Sequence, residues 1–156
     1  MSKKELQDMS KIDVELVKRK IDLLEDDLKN LDRFRALTFE EYSKNGDVKA
    51  IVERTLEKLT GRLIDINYHI LREEYEILPK DYRSSFMEMG KNNVVTKELA
   101  NEISGAASLR NALAHEYEEI DDGKVYESIS MALTQVPKYL QKIIEFIEVK
   151  TRRERY

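Results

Sequence analysis

Residues 14–31, "VELVKRKIDLLEDDLKNL", decide the fold class. Their apolar positions are Val14, Val17, Ile21, Leu24, Leu28 and Leu31, recurring in alternating steps of three and four. That spacing returns to one side of a 3.6-residue helix and leaves a narrow seam for packing against another helix. Asp13 stands just before the seam, where a carboxylate can accept from the exposed amides of a first turn. Two further stripes repeat the pattern. One runs Val48, Val52, Leu56, Leu59, Leu63, Ile66, Ile70, and the other Val125, Ile129, Leu133, Val136, Leu140, Ile143, Ile147. No useful stretch alternates as a strand would. Only 5 Gly and 2 Pro punctuate 156 residues, too few for the turns of many strands. The expected fold is all-α, a bundle of about four main helices plus short ones.

The connections follow from local chemistry. Thr38 with Glu41 forms a capping box for a short helix, "FEEYSK". Asn45 to Asp47 breaks the chain, with Asp47 expected to cap the next helix. Gly61 inside that helix costs about 1 kcal/mol relative to alanine, so packing is expected to require it. Pro79 is expected to end the element. "DYRSSFMEMGKNN" reads as a short helix ended by Gly90. Thr96 starts another that reaches Gly105 and either continues or bends into 109–117. Asp121 to Gly123 reads as a turn, and Pro137 should kink the last helix by clashing with the Leu133 carbonyl. The expected organisation is an N-terminal extension over 1–12, one helical domain over 13–149, and a frayed basic tail, "KTRRERY", over 150–156.

Composition narrows the function classes. The net charge is −4, whereas a protein that coats nucleic acid without regard to sequence is normally basic. A nucleic-acid role must therefore rest on a local basic site. Without cysteine there is no disulfide and no thiolate metal site. Residues 1–12 lack the apolar core of a signal peptide, and no window has the length of a transmembrane span, so the expected location is the cytoplasm. His69, flanked by Asp65 and Arg72 at helical spacing, reads as a structural histidine. The only two histidines lie on separate segments, so neither a metal nor a cofactor is expected.

Residues 110–117, "RNALAHEY", hold the other histidine. On a helix turning about 100° per residue, Arg110 and Tyr117 fall side by side, and Asn111 and His115 lie together across the small Ala114. Leu109, Ala112 and Leu113 take the opposite, packing side. An imidazole titrates near neutral pH, as a general acid or base must. A guanidinium offers a planar fork matched to phosphate. Asn111, one turn from His115, can orient the ring. Together these groups suit phosphodiester chemistry without a metal. Simple pairing of Arg110 and His115 with Glu116 or Glu118 is the competing explanation.

Arg110, four residues, His115, one residue, Tyr117 resembles the R-x4-H-x-Y motif of the HepT toxins in the HEPN superfamily. "LIDINYHIL" (63–71), "LPKDYRSSFMEMG" (78–90) and "SLRNALAHEYEEIDDGKVYESI" (108–129) are similar to further family segments, so the resemblance spans about Asp13 to Ile147. It implies an all-α HEPN bundle and a metal-independent endoribonuclease acting on RNA. It also implies a homodimer whose cleft joins two motifs, and an MntA-type nucleotidyltransferase antitoxin that transfers AMP from ATP to Tyr117. In that scheme Arg110 and His115 are catalytic and Asn111 supports them. Leu109 departs from the aromatic residue the family often has there. Two other classes compete. One is a non-catalytic helical adaptor for a nucleotidyltransferase. The other is a small-molecule mutase, faintly echoed by residues 21–37.

Overall fold

The computed structural model describes residues 11–115 and 119–155, the side chains of 153–155 excepted. Seven helices are described. They are α1 (Val14–Asp32), α2 (Phe39–Ser43), α3 (Gly46–Tyr75), α4 (Tyr82–Lys91), α5 (Lys97–Ile103), α6 (Gly105–Ala114) and α7 (Asp122–Arg155). Among the described residues there is no strand, and no helix is long and apolar enough to cross a membrane. The all-α bundle expected from the periodicity is therefore what forms.

α3 is the axis. It is 30 residues long, and α1, α2, α4, α6 and α7 all pack on it. Its stripe residues Val52, Leu56, Leu59, Leu63, Ile66 and Ile70 are buried. From α1, Val17, Ile21, Leu24 and Leu31 meet it, while Val14 and Leu28 are only half-buried. Asp27 is buried on the same face of α1 and is paired with Arg62 of α3. Burial raises the Asp27 carboxyl above its ordinary range, and Arg62 opposes that rise. Deeper in, the Tyr139 hydroxyl of α7 donates to Asn67 Oδ1 at 2.6 Å, and Asn67 Nδ2 donates to Ser85 Oγ of α4 at 3.1 Å. Three helices are thus clasped by a buried polar chain whose members satisfy one another.

Two caps match the sequence. The Leu16 amide donates to Asp13 Oδ1 at 3.0 Å, and Thr38 and Glu41 form the full capping box. Other boundaries differ. Asn45, not Asp47, caps α3, accepting from the Val48 amide at 3.1 Å. The helix starts at Gly46, so Asp47 lies in the first turn, where the dipole favours its charge. Pro79 does not end α3. The helix stops at Tyr75 because Glu76 turns left-handed (φ 55°), letting the Ile77 amide reach Leu71 O at 3.0 Å and the Glu76 amide reach Arg72 O at 3.1 Å. Gly90 does not end α4. It is buried inside the helix, where a Cβ would stand 2.7 Å from the Ala100 Cβ of α5. The Asp121–Gly123 turn is the start of α7, with the Lys124 amide donating to Asp121 Oδ1 at 3.2 Å.

Both ends of the domain are also tighter than the sequence suggests. Ile12, placed in the N-terminal extension, is buried in the core. The Asp13 amide donates to His69 Nε2 at 2.9 Å, so His69 fixes the entry to α1. Asp65 pairs with Lys20 at 3.0 Å, and Arg72 with Glu73 at 3.2 Å. α7 runs through Pro137 to Arg155, so residues 150–155 continue a helix and do not form a frayed tail. The reason is Lys150, which is buried, pairs with Glu74 of α3 and lies 5.1 Å from the centre of the Phe146 ring.

Gly90→Ala should destabilise the protein. Overpacking costs about 1–3 kcal/mol and outweighs the gain of about 1 kcal/mol in helix propensity. Urea unfolding of Gly90→Ala, Ala100→Gly and the double variant checks this. The double variant should be more stable than the two singles sum to, and simple additivity would contradict a direct Cβ–Cβ contact.

Candidate active site

α6 begins where α5 ends. Ser104 closes one helix and opens the next, and its hydroxyl donates to Asn101 O at 2.7 Å. The chain turns at a single buried serine, with Gly105 opening the next helix. α6 then lies on α3, with Ala107 and Leu113 buried. It ends at Ala114, because His115 takes an extended conformation (φ −92°, ψ 97°). The helical placement of 110–117 therefore holds for Arg110 and Asn111 but not for His115, which leaves the wheel. Asn111 and His115 share no hydrogen bond among the described residues, and both are exposed. Ala112, expected to pack on the bundle, is exposed too. Tyr117 lies outside the described residues, as do Glu116 and Glu118, the expected partners of a simple ion pair.

Arg110 is held differently. Its side chain is 28% exposed and crosses to α3. Nη1 is shut off from solvent and has no hydrogen-bond partner among the described residues. Its nearest charge is Glu57 Oε1, 3.7 Å away, too far for a hydrogen bond. The other oxygen of that carboxylate, Oε2, stands 3.3 Å from Arg54 Nη1. One turn further along α3, a Cβ on Gly61 would sit 3.4 Å from Arg110 Nε. A methyl group there would meet Arg110 at ordinary contact, so packing does not require the glycine as expected. Two guanidiniums thus stand around one carboxylate on an acidic chain. Sequence reasoning missed Glu57. The available signal was Arg54, Glu57 and Gly61 at helical spacing, one face of α3 ending in an otherwise costly glycine.

Beyond the motif the chain is tied to α3 again. Asp122, the first residue of α7, pairs with Lys49 at 2.8 Å. Beside them, burial and the Asp122 charge raise the Glu53 carboxyl above its usual range. The Tyr42 hydroxyl is buried there without a partner among the described residues, and burial raises its pKa strongly. On the other side of α6 an apolar groove of about 310 Å3 runs along α7, lined by Leu109, Ala112, Leu113, Ile120 and Met131. Among the described residues, no three His, Cys, Asp or Glu side chains stand together as metal ligands would.

A family model described as ribonuclease HepT-like matches residues 24–143. The chain is 33% identical over 139 residues to the tRNA nuclease HepT of Aphanizomenon flos-aquae, covering 89% of this chain and 95% of that one. It is 28% identical over 94 residues to the mRNA nuclease HepT of Shewanella oneidensis, covering 60% and 65%. Its fold is also that of a tri-AMPylated Shewanella oneidensis HEPN toxin solved in complex with MNT antitoxin. The TM-score there is 0.74 at 22% identity, over 83% of this chain and 97% of that one.

The geometry predicts small stability effects at the motif. His115→Ala removes an exposed ring, and Arg110→Ala removes a partly exposed pair with no hydrogen bond. Each should stay within about 1 kcal/mol of the parent in urea unfolding. A larger loss for Arg110→Ala would mean that the guanidinium is a core strut.

Proposed function

This chain belongs to the ribonuclease HepT-like family, and we propose that it is a metal-independent endoribonuclease toxin, silenced by AMPylation of Tyr117. The observation that carries the reading is the contrast at the end of α6. Arg110 is pinned against α3, whereas five residues on His115 leaves the helix with its ring exposed. A fixed cation five residues from an accessible imidazole suits a charged substrate that approaches from solvent.

In this mechanism a ribose 2′-oxygen attacks the adjacent phosphorus. The P–O2′ bond forms, the P–O5′ bond breaks, and a 2′,3′-cyclic phosphate and a 5′-hydroxyl result. His115 takes the 2′-OH proton, and a protonated imidazole supplies one to the leaving 5′-oxygen. Arg110 stabilises the charge that builds on the phosphorane oxygens. Asn111, exposed on α6 and not bonded to His115, positions the substrate. The need for a 2′-OH makes RNA the substrate, and the named nuclease relatives support that class. One motif offers one imidazole for two proton transfers, so a homodimer bringing a second motif into the cleft completes the site. The apolar groove along α6 is the face a second copy would cover.

The partner in this reading is an MntA-type nucleotidyltransferase, supported by the AMPylated relative in complex with its antitoxin. The Tyr117 hydroxyl would attack the α-phosphorus of ATP, forming a phosphodiester and releasing pyrophosphate. The attached AMP brings bulk and negative charge to the approach to Arg110 and His115, and so repels RNA. Such an enzyme works where RNA and ATP are present, in the cytoplasm.

Three measurements test the reading. In a metal-free RNA cleavage assay, Arg110→Ala and His115→Ala should each lose about 100- to 10,000-fold in rate while remaining folded. Full activity in both variants would reassign the catalytic groups, and an inert parent chain would favour the adaptor class. Sedimentation at micromolar concentration should show a dimer, and a monomer would argue against a composite cleft. Co-expression with the nucleotidyltransferase should add units of about 329 Da, the mass of AMP less water on a hydroxyl acceptor. Tyr117→Phe should lose that increment. An identical increment in both forms would place the modification elsewhere.

A further inference from the structure

We propose that Glu57 is a positioning residue. Its carboxylate, together with the bare backbone at Gly61, holds the Arg110 guanidinium against α3 in the orientation in which it meets the scissile phosphate. The inference rests on the ribonuclease reading for the phosphate, but the contact itself stands on the geometry alone.

An arginine side chain has many rotamers, and a catalytic one is useful only if few of them are occupied. Three observations limit those of Arg110. Nε lies 3.4 Å from where a Cβ at position 61 would stand, so the space over Gly61 is already occupied by the Arg110 side chain. Nη1 is closed off from water and faces Glu57 Oε1 at 3.7 Å. Glu57 is itself steadied, because Oε2 reaches Arg54 Nη1 at 3.3 Å. The remaining exposure of the Arg110 side chain therefore belongs to atoms other than Nη1, and these are the ones that can meet a phosphate. A contact without a hydrogen bond is ionic, so it draws the guanidinium toward α3 while leaving its exposed donors unspent.

The competing explanation is a plain clamp between α3 and α6. The apolar contacts of Ala107 and Leu113 already join those helices. A partly exposed pair at this spacing adds little to stability. Placing one carboxylate between two cations, above a glycine that weakens its own helix, is poor design for a clamp. It is a workable way to keep one cation in register.

The test uses the full chain in five forms: parent, Glu57→Ala, Glu57→Gln, Gly61→Leu and Gly61→Ala. The Arg110 Nε–Hε resonance is followed by NMR, and RNA cleavage and thermal unfolding are measured on the same samples. In Glu57→Ala and Gly61→Leu the resonance should shift and its hydrogen exchange quicken. kcat should fall about 10- to 100-fold with KM nearly unchanged, and the unfolding midpoint should stay close to the parent's. Leucine is a good helix former, so any loss in Gly61→Leu is not a propensity effect. Glu57→Gln should behave like Glu57→Ala, because an ionic contact is not replaced by a neutral amide of the same shape. Gly61→Ala should keep the parent's resonance, since its methyl just reaches ordinary contact. An unmoved resonance in Glu57→Ala, full rescue by Glu57→Gln, or a loss confined to KM would overturn the assignment. If the parent cleaves no RNA, the ribonuclease reading falls on that arm alone, while the resonance still decides whether Glu57 holds Arg110.

Discussion

The burial of α3 is the constraint on which the rest depends. A helix of 30 residues spans about 45 Å and cannot be covered by one neighbour, so helices pack on it from several sides. Each polar group this traps must be satisfied in place. Asn67 is met by Tyr139 and Ser85, Thr60 donates to the carbonyls of Leu56 and Glu57 in its own helix, and Arg62 is matched by Asp27 of α1. The face that carries Arg54, Glu57 and Gly61 is resolved differently. There α6 supplies a cation instead of an apolar side chain, and the covering of the core becomes the floor of the candidate site.

The same axis fixes where the motif can be. The chain is tied to α3 through Arg110 near Glu57 and again through Asp122 at Lys49. These two points on α3 are separated by eight residues, about 12 Å along the helix. His115 belongs to the stretch between them, so its neighbourhood is set from both ends by contacts with one rigid element. Leu113 and Ile120 flank that stretch and turn toward the core side, Leu113 fully buried and Ile120 partly. His115 is exposed at the end of a helix that is itself anchored on α3.

What the sequence made legible is what local chemistry decides. Asp13 and Thr38 cap their helices as read, because a cap needs only its own first turn. The apolar stripes forecast the buried residues of α3 and α7 well, since burial of a long helix follows its period. Legibility stopped where a contact across the fold competes with a local signal. Glu76 ends α3 in a left-handed conformation that no glycine announced, three residues before the proline expected to do so. Gly90 resembled a terminator but serves the close approach of α5. At Ser104–Gly105 the sequence allows both continuation and a bend, and the packing of α6 on α3 decides for the bend. The motif is the sharpest case. Chemistry and spacing single out Arg110 and His115, but the helical wheel that relates them assumes a continuation the chain does not make. The helical spacing of Arg54, Glu57 and Gly61 is visible in the sequence, but what Glu57 faces is decided only once α6 crosses α3.

On the proposed reading, one difficulty of composition resolves at short range. A chain of net charge −4 should repel RNA, but screening limits that repulsion to about 8–10 Å at physiological salt. Within that distance a phosphate senses the groups around it and not the total. At the candidate site those groups are few: Arg110 and Arg54 around Glu57, with Glu53 one turn away on α3. Were RNA held by so few cations, one added phosphodiester would weigh heavily against them, where a broad basic surface would hardly notice it. That is how a single nucleotide could control the proposed activity.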